Sequence, residues 1–168
     1  SKPQATSRFV VGTGAPEKDG EALRETLTAM ANEDTETIRW GYVDKTGKVV
    51  VEPMFELCGE FREGLAYVKT GGKFGFVNKT GRFVVEPQFD WASGFSEGMA
   101  IVQMQVERVA DGADDKGKYG YIDRTGRVVI EPRFDYAKGF RGGLAQVEIG
   151  ERLGYVDEVG RFVWVPKE

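Results

Sequence analysis

Three observations predict an all-β fold of small sheets in series. One unit is written three and a half times between residues 40 and 166: WGYVDKTGKVVVEPMFELCGEFREGLAYV (40–68) returns as FGFVNKTGRFVVEPQFDWASGFSEGMAIV (74–102), as YGYIDRTGRVVIEPRFDYAKGFRGGLAQV (119–147), and in part as LGYVDEVGRFVWVP (153–166). Within each unit, short alternating apolar runs are bounded by tight-turn residues. A period in this range marks a quasi-one-dimensional architecture, in which each unit buries its apolar face against the next. The expected fold is therefore a tandem array of three-stranded antiparallel sheets, either open and twisted with capped ends or, alternatively, closed as a propeller-like ring.

Residues 1–39 lack the unit and are expected to cap the array. Arg8-Phe-Val-Val11 reads as a strand matching Arg82-Phe-Val-Val85 and is assigned to complete the first sheet. A helix is predicted over about 19–31, with Asp19 as N-cap, Glu21 in the first turn, and Leu23, Leu27 and Met30 on one face.

The repeats start at 40, 74, 119 and 153. Each opens with an aromatic-Gly-aromatic-Val strand whose leading Trp40, Phe74 or Tyr119 fills a constant aromatic slot and is read as core. Asp44-Lys-Thr-Gly47, Asn78-Lys-Thr-Gly81, Asp123-Arg-Thr-Gly126 and Asp157-Glu-Val-Gly160 follow. An Asx residue first and Gly fourth suits a hairpin turn in which the side chain caps the backbone and Gly takes positive φ. The next run is apolar at consecutive positions (49–51, 83–85, 128–130), which predicts cover on both faces. Glu-Pro closes it at 52–53, 86–87 and 131–132. A connector with two Phe leads to Gly64, Gly98 or Gly143 and then a third strand, LAYV, MAIV or LAQV, which turns into the following unit's first strand. Sequence repeat and sheet are therefore offset, each sheet running third strand, first strand, second strand. The middle interval is longer by eleven residues, placed in a hairpin insertion at 103–118 with a polar Asp/Gly tip.

Lys+Arg at 23 against Asp+Glu at 27 gives a net charge of −4, so the basic excess that phosphate binding needs is missing and nucleic acid is disfavoured as partner. No apolar run is long enough to span a membrane. The start at Ser1 suits an artificial start or a mature form whose leader is gone, and the compartment stays open between cytoplasm and export.

The chain has no His, which removes Ser-His and Cys-His catalysis and the commonest metal ligand. The lone Cys58 stands where the other units have Ala92 and Ala137 and is read as a buried, inert thiol. Glu52, Glu86 and Glu131 recur one per unit, too far apart to share a scissile bond, and are assigned a structural hydrogen-bonding role. The Gly-x-Gly at 12–14 lacks its third glycine, and Asn78-Lys-Thr80 has the form of a glycosylation sequon but sits in a turn. No catalytic residue, cofactor or metal site is assigned.

The Trp40-Gly41 pair, the Asx-x-Thr-Gly turns, Glu-Pro, and Phe-x-x-Gly-apolar-Ala (61–66, 95–100, 140–145) resemble the WG-repeat family over 40–166. The resemblance implies an all-β array of bacterial type, used as an interaction module, with no active site to transfer. Only the first unit keeps Trp, and the insertion and the N-terminal segment lie outside the family pattern.

The expected function is a non-catalytic binding module for a protein or peptide partner. The alternative is a module for carbohydrate, such as cell-wall glycan, with an enzyme using Asp and Glu alone as a distant third. One position in the connector varies while its neighbours stay fixed: Leu57, Trp91 and Tyr136. Together with Val106, Arg108, Asp111, Asp114 and Asp115 of the insertion, these are the candidate binding residues, with core packing as the competing reading of the first three. Solvent exposure of Trp91 and Tyr136 side by side would favour glycan, and their burial would favour the hairpin as the contact.

Overall fold

The structure is a computed structural model and describes residues 8–9, 28–31, 39–105 and 117–166. These form four antiparallel sheets, each a meander of four strands in chain order. The first holds β1 (Arg8–Phe9), β2 (Thr28–Ala31), β3 (Trp40–Val43) and β4 (Val49–Phe55), and the second β5 (Leu57–Cys58), β6 (Ala66–Thr70), β7 (Lys73–Val77) and β8 (Phe83–Phe89). The third holds β9 (Trp91–Ala92), β10 (Met99–Met104), β11 (Lys118–Asp123) and β12 (Val128–Phe134), and the last β13 (Tyr136–Ala137), β14 (Ala145–Ile149), β15 (Arg152–Val156) and β16 (Phe162–Trp164). The expected order of third, first and second strand is present in every sheet, but a two-residue strand from the connector adds a fourth member, so the sheets are not three-stranded.

The N-terminal expectations need correction. Thr28–Ala31, the end of the predicted 19–31 helix, is strand β2, paired with β3 in the register Thr28↔Val43 and Ala31↔Trp40. That is the register in which Ala66 meets Val77 and Lys69 meets Phe74 one sheet later. The Leu27/Met30 spacing suits a helix face, but the open edge of β3 supplies ladder partners, and tertiary pairing overrides local propensity. Arg8–Phe9 therefore takes the outer seat, against β2, rather than completing the first sheet as its third strand. Residues 10–11 of the predicted strand and 19–27 of the predicted helix lie outside the described residues.

The glycine of each aromatic-Gly pair is dictated by close approach. A Cβ on Gly41, Gly75 or Gly120 would stand 2.3, 2.5 or 2.5 Å from the carbonyl oxygen of Val51, Val85 or Ile130. The backbone comes this close because β4, β8 and β12 bulge at Glu-Pro: between Trp40↔Phe55 and Tyr42↔Val51 the partner strand spends four residues against two. Proline is tolerated there because the bulge sits on the edge strand. Cover on both faces of this strand, expected from its apolar run, is not found. Val51, Val85 and Ile130 are buried, while Val50, Val84 and Val129 face solvent. Glu52, Glu86 and Glu131 sit exposed in the bulges and make no side-chain hydrogen bond or ion pair among the described residues, so the structural role assigned to them is not borne out.

The Asx turns form as expected. Asp123 Oδ1 accepts from the Thr125 amide at 2.8 Å, the Thr125 hydroxyl at 2.6 Å and the Arg127 amide at 3.1 Å, Asp44 and Asn78 repeat the pattern, and Gly47, Gly81, Gly126 and Gly160 have φ between 81° and 88°. These donors, the Thr125 hydroxyl first, hold the Asp123 carboxyl below its ordinary value of 3.8.

Each core lies between successive sheets. Tyr42, Val51 and Phe55 pack on Ala66, Val68 and Val77; Phe76, Val85 and Phe89 on Ala100, Val102 and Ile122; Tyr121, Ile130 and Phe134 on Ala145, Val147 and Val156. Strand alternation thus gives every inner sheet a face toward the unit before and a face toward the unit after. In the aromatic slot Phe74 is buried but Trp40 and Tyr119 are only half-buried; the fully buried rings are two residues on, at Tyr42, Phe76 and Tyr121. The second connector Phe of the same repeat, on the way into the next sheet, closes over each, with centroids 4.7–4.9 Å apart for Tyr42–Phe61, Phe76–Phe95 and Tyr121–Phe140. The buried Tyr42 and Tyr121 hydroxyls donate at 2.7 Å to the Gly59 and Lys138 carbonyls of that connector.

Carboxylates also link the units. Gly98 N–H donates to Glu63 at 2.9 Å, and Gly142 and Gly143 N–H donate to Glu97 at 2.6 and 2.9 Å. Glu63 and Glu97 hold φ of 51° and 50°, a left-handed conformation that is uncommon for a residue with a Cβ. The link to the next turn offsets that cost.

Gly75→Ala is expected to lower unfolding free energy by about 3 kcal/mol, measured by urea denaturation, because the methyl group meets backbone that cannot move independently. Gly139→Ala, whose Cβ would lie 3.6 Å from Ser96 Cβ, is the matched control and should stay within about 0.5 kcal/mol. Because the folded pKa of Asp123 is depressed, its contribution is present above pH 3.8 and lost as pH falls through the folded value. Asp123→Asn, modelling the turn on Asn78, should match wild type in urea midpoint at pH 7 and lose less of it on acidification.

Candidate functional site

The variable connector position is set by the acid that precedes it. Asp90 accepts from Lys73 Nζ of the preceding sheet and, at 2.9 Å, from the Gln105 amide. The Lys73 bond, foremost, holds the Asp90 carboxyl below the usual carboxylate range. Asp135 accepts from Lys118 Nζ and from the Gly150 amide at 2.6 Å, and Glu56 from the Gly72 amide at 3.2 Å. Each acid thus ties the start of a short edge strand to the hairpin beside it and fixes the residue that follows on the sheet edge.

Those residues are exposed: Leu57 40%, Trp91 40% and Tyr136 44%. Core packing of the three is therefore overturned. Each is on an outer strand whose next residue, Cys58, Ala92 or Ala137, turns inward, and only the inward one meets the neighbouring sheet. Cys58 is half-buried, and burial pushes its thiol up to about 11, which keeps it protonated and unreactive.

Trp91 and the insertion belong to one place. Trp91 pairs across from Gln103, and its ring meets Tyr119 edge to face, centroids 5.9 Å apart at 83°. Gln103 Nε2 donates to Gly117 O at 3.1 Å, and Gln105 N–H is held by Asp90. Trp91, Gln103 and Tyr119 therefore form one row across three strands at the root of the insertion, with the indole at its outer end. Residues 106–116, with Val106, Arg108, Asp111, Asp114 and Asp115, lie outside the described residues. Among the described residues no group of three or more His, Cys, Asp or Glu is placed to hold a metal ion.

The three variable residues do not converge. Leu57 faces the seam between the second and third sheets, opposite Lys69, whose ammonium lies 5.6 Å over the Phe74 ring. Trp91 faces the seam between the third and the last. Tyr136 faces away from the array, opposite Glu148, and no ring contact joins it to Trp91 among the described residues. Sequence reasoning missed Tyr119 as the support of Trp91, because the constant aromatic slot reads as core. The visible signal was position: Tyr119 opens the strand that leaves the insertion.

Trp91 should be strongly quenched by acrylamide, so that the difference spectrum between wild type and Trp91→Phe shows a quenching constant close to that of an exposed indole. A protected difference spectrum would place the ring inside the seam.

No curated protein and no solved structure matches the chain. A family model described as WG containing repeat matches residues 40–74, 74–105 and 119–152. Each match begins at the aromatic-Gly strand of one sheet and runs through the connector into the next, so the family's unit is the offset repeat seen here. With three consecutive matches over more than half of its length, the chain belongs to the WG-repeat family.

Proposed function

We propose that this chain is a non-catalytic binding module that engages a protein or peptide partner at Trp91 and the insertion after Gln105. One observation carries the reading: a large aromatic side chain, exposed and braced by Tyr119, stands at the root of the segment by which this unit departs from its siblings. A rigid scaffold presenting a variable loop beside an indole anchor suits protein recognition, where Trp and Tyr supply much of the binding energy. The absence of His from the sequence fits a role without acid-base chemistry at neutral pH.

A glycan is the second reading, favoured by the exposure of Trp91 and Tyr136. Their separation weakens it, because a sugar chain would meet the two rings on different faces.

The register supplies the test. Thr70 and Lys73 close their hairpin with Gly71-Gly72, and Met104 pairs with Lys118 in the same way, so removing 106–116 leaves Gln105-Gly117 as the equivalent two-residue turn. The deletion is expected to melt cooperatively and to lose the proteins that wild type captures from bacterial lysate, as is Trp91→Ala, by roughly tenfold or more. Leu57→Ala should retain them. Undiminished capture by both variants overturns the reading, and retention on cell-wall glycan that is lost with Trp91→Ala favours the second one.

A further inference from the structure

In the last three sheets one register row crosses the strands at the end where the 70–73 hairpin and the insertion leave them, and its contents change from unit to unit. In the second sheet Leu57, Lys69 and Phe74 stand side by side. The third sheet has Trp91, Gln103 and Tyr119, and the last has Tyr136, Glu148 and Leu153.

In the second sheet the row satisfies itself. The Lys69 ammonium lies over the Phe74 ring, 5.6 Å from its centroid. Met104 of the following sheet packs on the cluster that contains Phe74, and that ring is buried. The chain thus carries a cation–π pair at this register, made on the aromatic residue that opens the repeat.

The third sheet keeps the ring and withdraws the cation. Gln103 stands at the Lys69 position, carries no charge, and donates its amide to the Gly117 carbonyl at 3.1 Å. Ile149, the counterpart of Met104, is 41% exposed and takes no part in the core that Tyr119 borders. Tyr119 is accordingly half-buried where Phe74 is buried. Among the described residues no Lys or Arg lies over Tyr119 or Trp91, and the adjacent Lys118 is bound to the Asp135 carboxylate.

A second ring has been added at the same place. Trp91 replaces Leu57, and its plane stands at 83° to that of Tyr119. Two ring planes at nearly a right angle form a corner whose walls present the negative faces of their π-systems, and an indole attracts cations more strongly than any other side-chain ring. Charge points the same way. The chain carries −4 overall, and the segment that begins three residues after Gln103 holds Glu107, Asp111, Asp114 and Asp115 against Arg108 and Lys116. Neither sibling row can do the same: the second sheet has its own cation, and the last has Glu148 beside Leu153 in place of a ring.

We infer that the corner between Trp91 and Tyr119 receives an arginine or lysine side chain of a basic peptide segment, in the position that Lys69 takes on Phe74 one sheet earlier. This rests on the reading of Trp91 as a binding residue and names the chemistry of what it binds. Trp91 and Tyr119 supply the faces, and Gln103 leaves them without an internal cation.

The sibling row supplies the variants. Gln103→Lys and Trp91→Leu each install what the second sheet already carries at that register, so the fold accommodates both, and far-UV circular dichroism checks this. The probe is a labelled, capped peptide of alternating Gly and Arg, followed by fluorescence anisotropy at about 0.15 M salt, where attraction to net charge is screened. Wild type is expected to bind it, and peptides with Gln or Glu in place of Arg should bind at least about fivefold more weakly. Gln103→Lys, whose own ammonium occupies the corner, and Trp91→Leu should each raise the dissociation constant about fivefold. Gln88→Arg, which copies Arg133 and adds the same charge on an exposed edge, should leave it unchanged. The inference is overturned if neither Gln103→Lys nor Trp91→Leu weakens the Arg peptide, if the Gln and Arg peptides bind alike, or if a neutral cell-wall glycan fragment displaces the Arg peptide from wild type. Capture from lysate separates this from the reading beneath it. Capture that is lost with Trp91→Ala and with deletion of 106–116 but kept by Gln103→Lys upholds the partner reading and overturns the cation; peptide binding that depends on Trp91 and Gln103, beside capture that survives Trp91→Ala and the deletion, upholds the cation and overturns the partner reading.

Discussion

The contact on which this architecture depends is between a glycine and a bulged backbone. Gly41, Gly75 and Gly120 lie so close under the Val-Glu-Pro or Ile-Glu-Pro segment of the neighbouring strand that any side chain would overlap it. That approach lets the edge strand spend two extra residues, change direction, and drop Phe55, Phe89 or Phe134 into the core while Glu52, Glu86 or Glu131 turns outward. The conserved-looking pairs within the repeat are thus two halves of one device. The glycine makes room, and Glu-Pro is the bulge that fills it, with proline safe from any ladder bond.

From the bulge the chain passes directly into the next sheet, and the links between units follow from where it arrives. The connector's second Phe lands on the buried ring of the sheet just left, its carbonyl receives the hydroxyl of Tyr42 or Tyr121, and Glu63 or Glu97 reaches forward to the following turn. Each unit is therefore held by its neighbours and by nothing farther along the chain, since none of the three cores joins the first sheet to the last among the described residues. Stability in such a stack is close to a sum of unit and interface contributions. Among the described residues the first and last sheets each take part in one of the three cores, and the second and third sheets in two.

Legibility differed sharply between elements. The Asx turns were readable because their chemistry is local: Asp44, Asn78 and Asp123 bind backbone two and four residues ahead, whatever surrounds them. The order of strands was readable because tight turns, such as Gly71-Gly72 and the Asx turns, force antiparallel neighbours. Thr28–Ala31 was not, since its strand conformation comes from the vacant edge of Trp40–Val43, a partner with no local signature. The two-residue strands Leu57–Cys58, Trp91–Ala92 and Tyr136–Ala137 were too short to show a period, and they gave each sheet its fourth member. Consecutive valines at 49–51 suggested burial on both faces because a bulge breaks the alternation on which that inference rests.

By itself the sequence determined the repeat, the positions of its turns, the positive-φ glycines that close them and the offset between repeat and sheet, because all of these arise from steric limits and hydrogen bonds within a few residues. Tertiary structure alone decided which residues meet solvent. Leu57, Trp91 and Tyr136 are equivalent in the repeat, yet Leu57 and Trp91 border a seam between sheets and Tyr136 lies on the open face; Tyr155 is the counterpart of three rings with no exposure and is itself more than a third exposed. Alternation along a strand assigns a residue to a face of its sheet. Whether another sheet lies against that face depends on the neighbouring units, and this is why the exposure of Trp91, Tyr136 and Tyr155 emerged only in three dimensions.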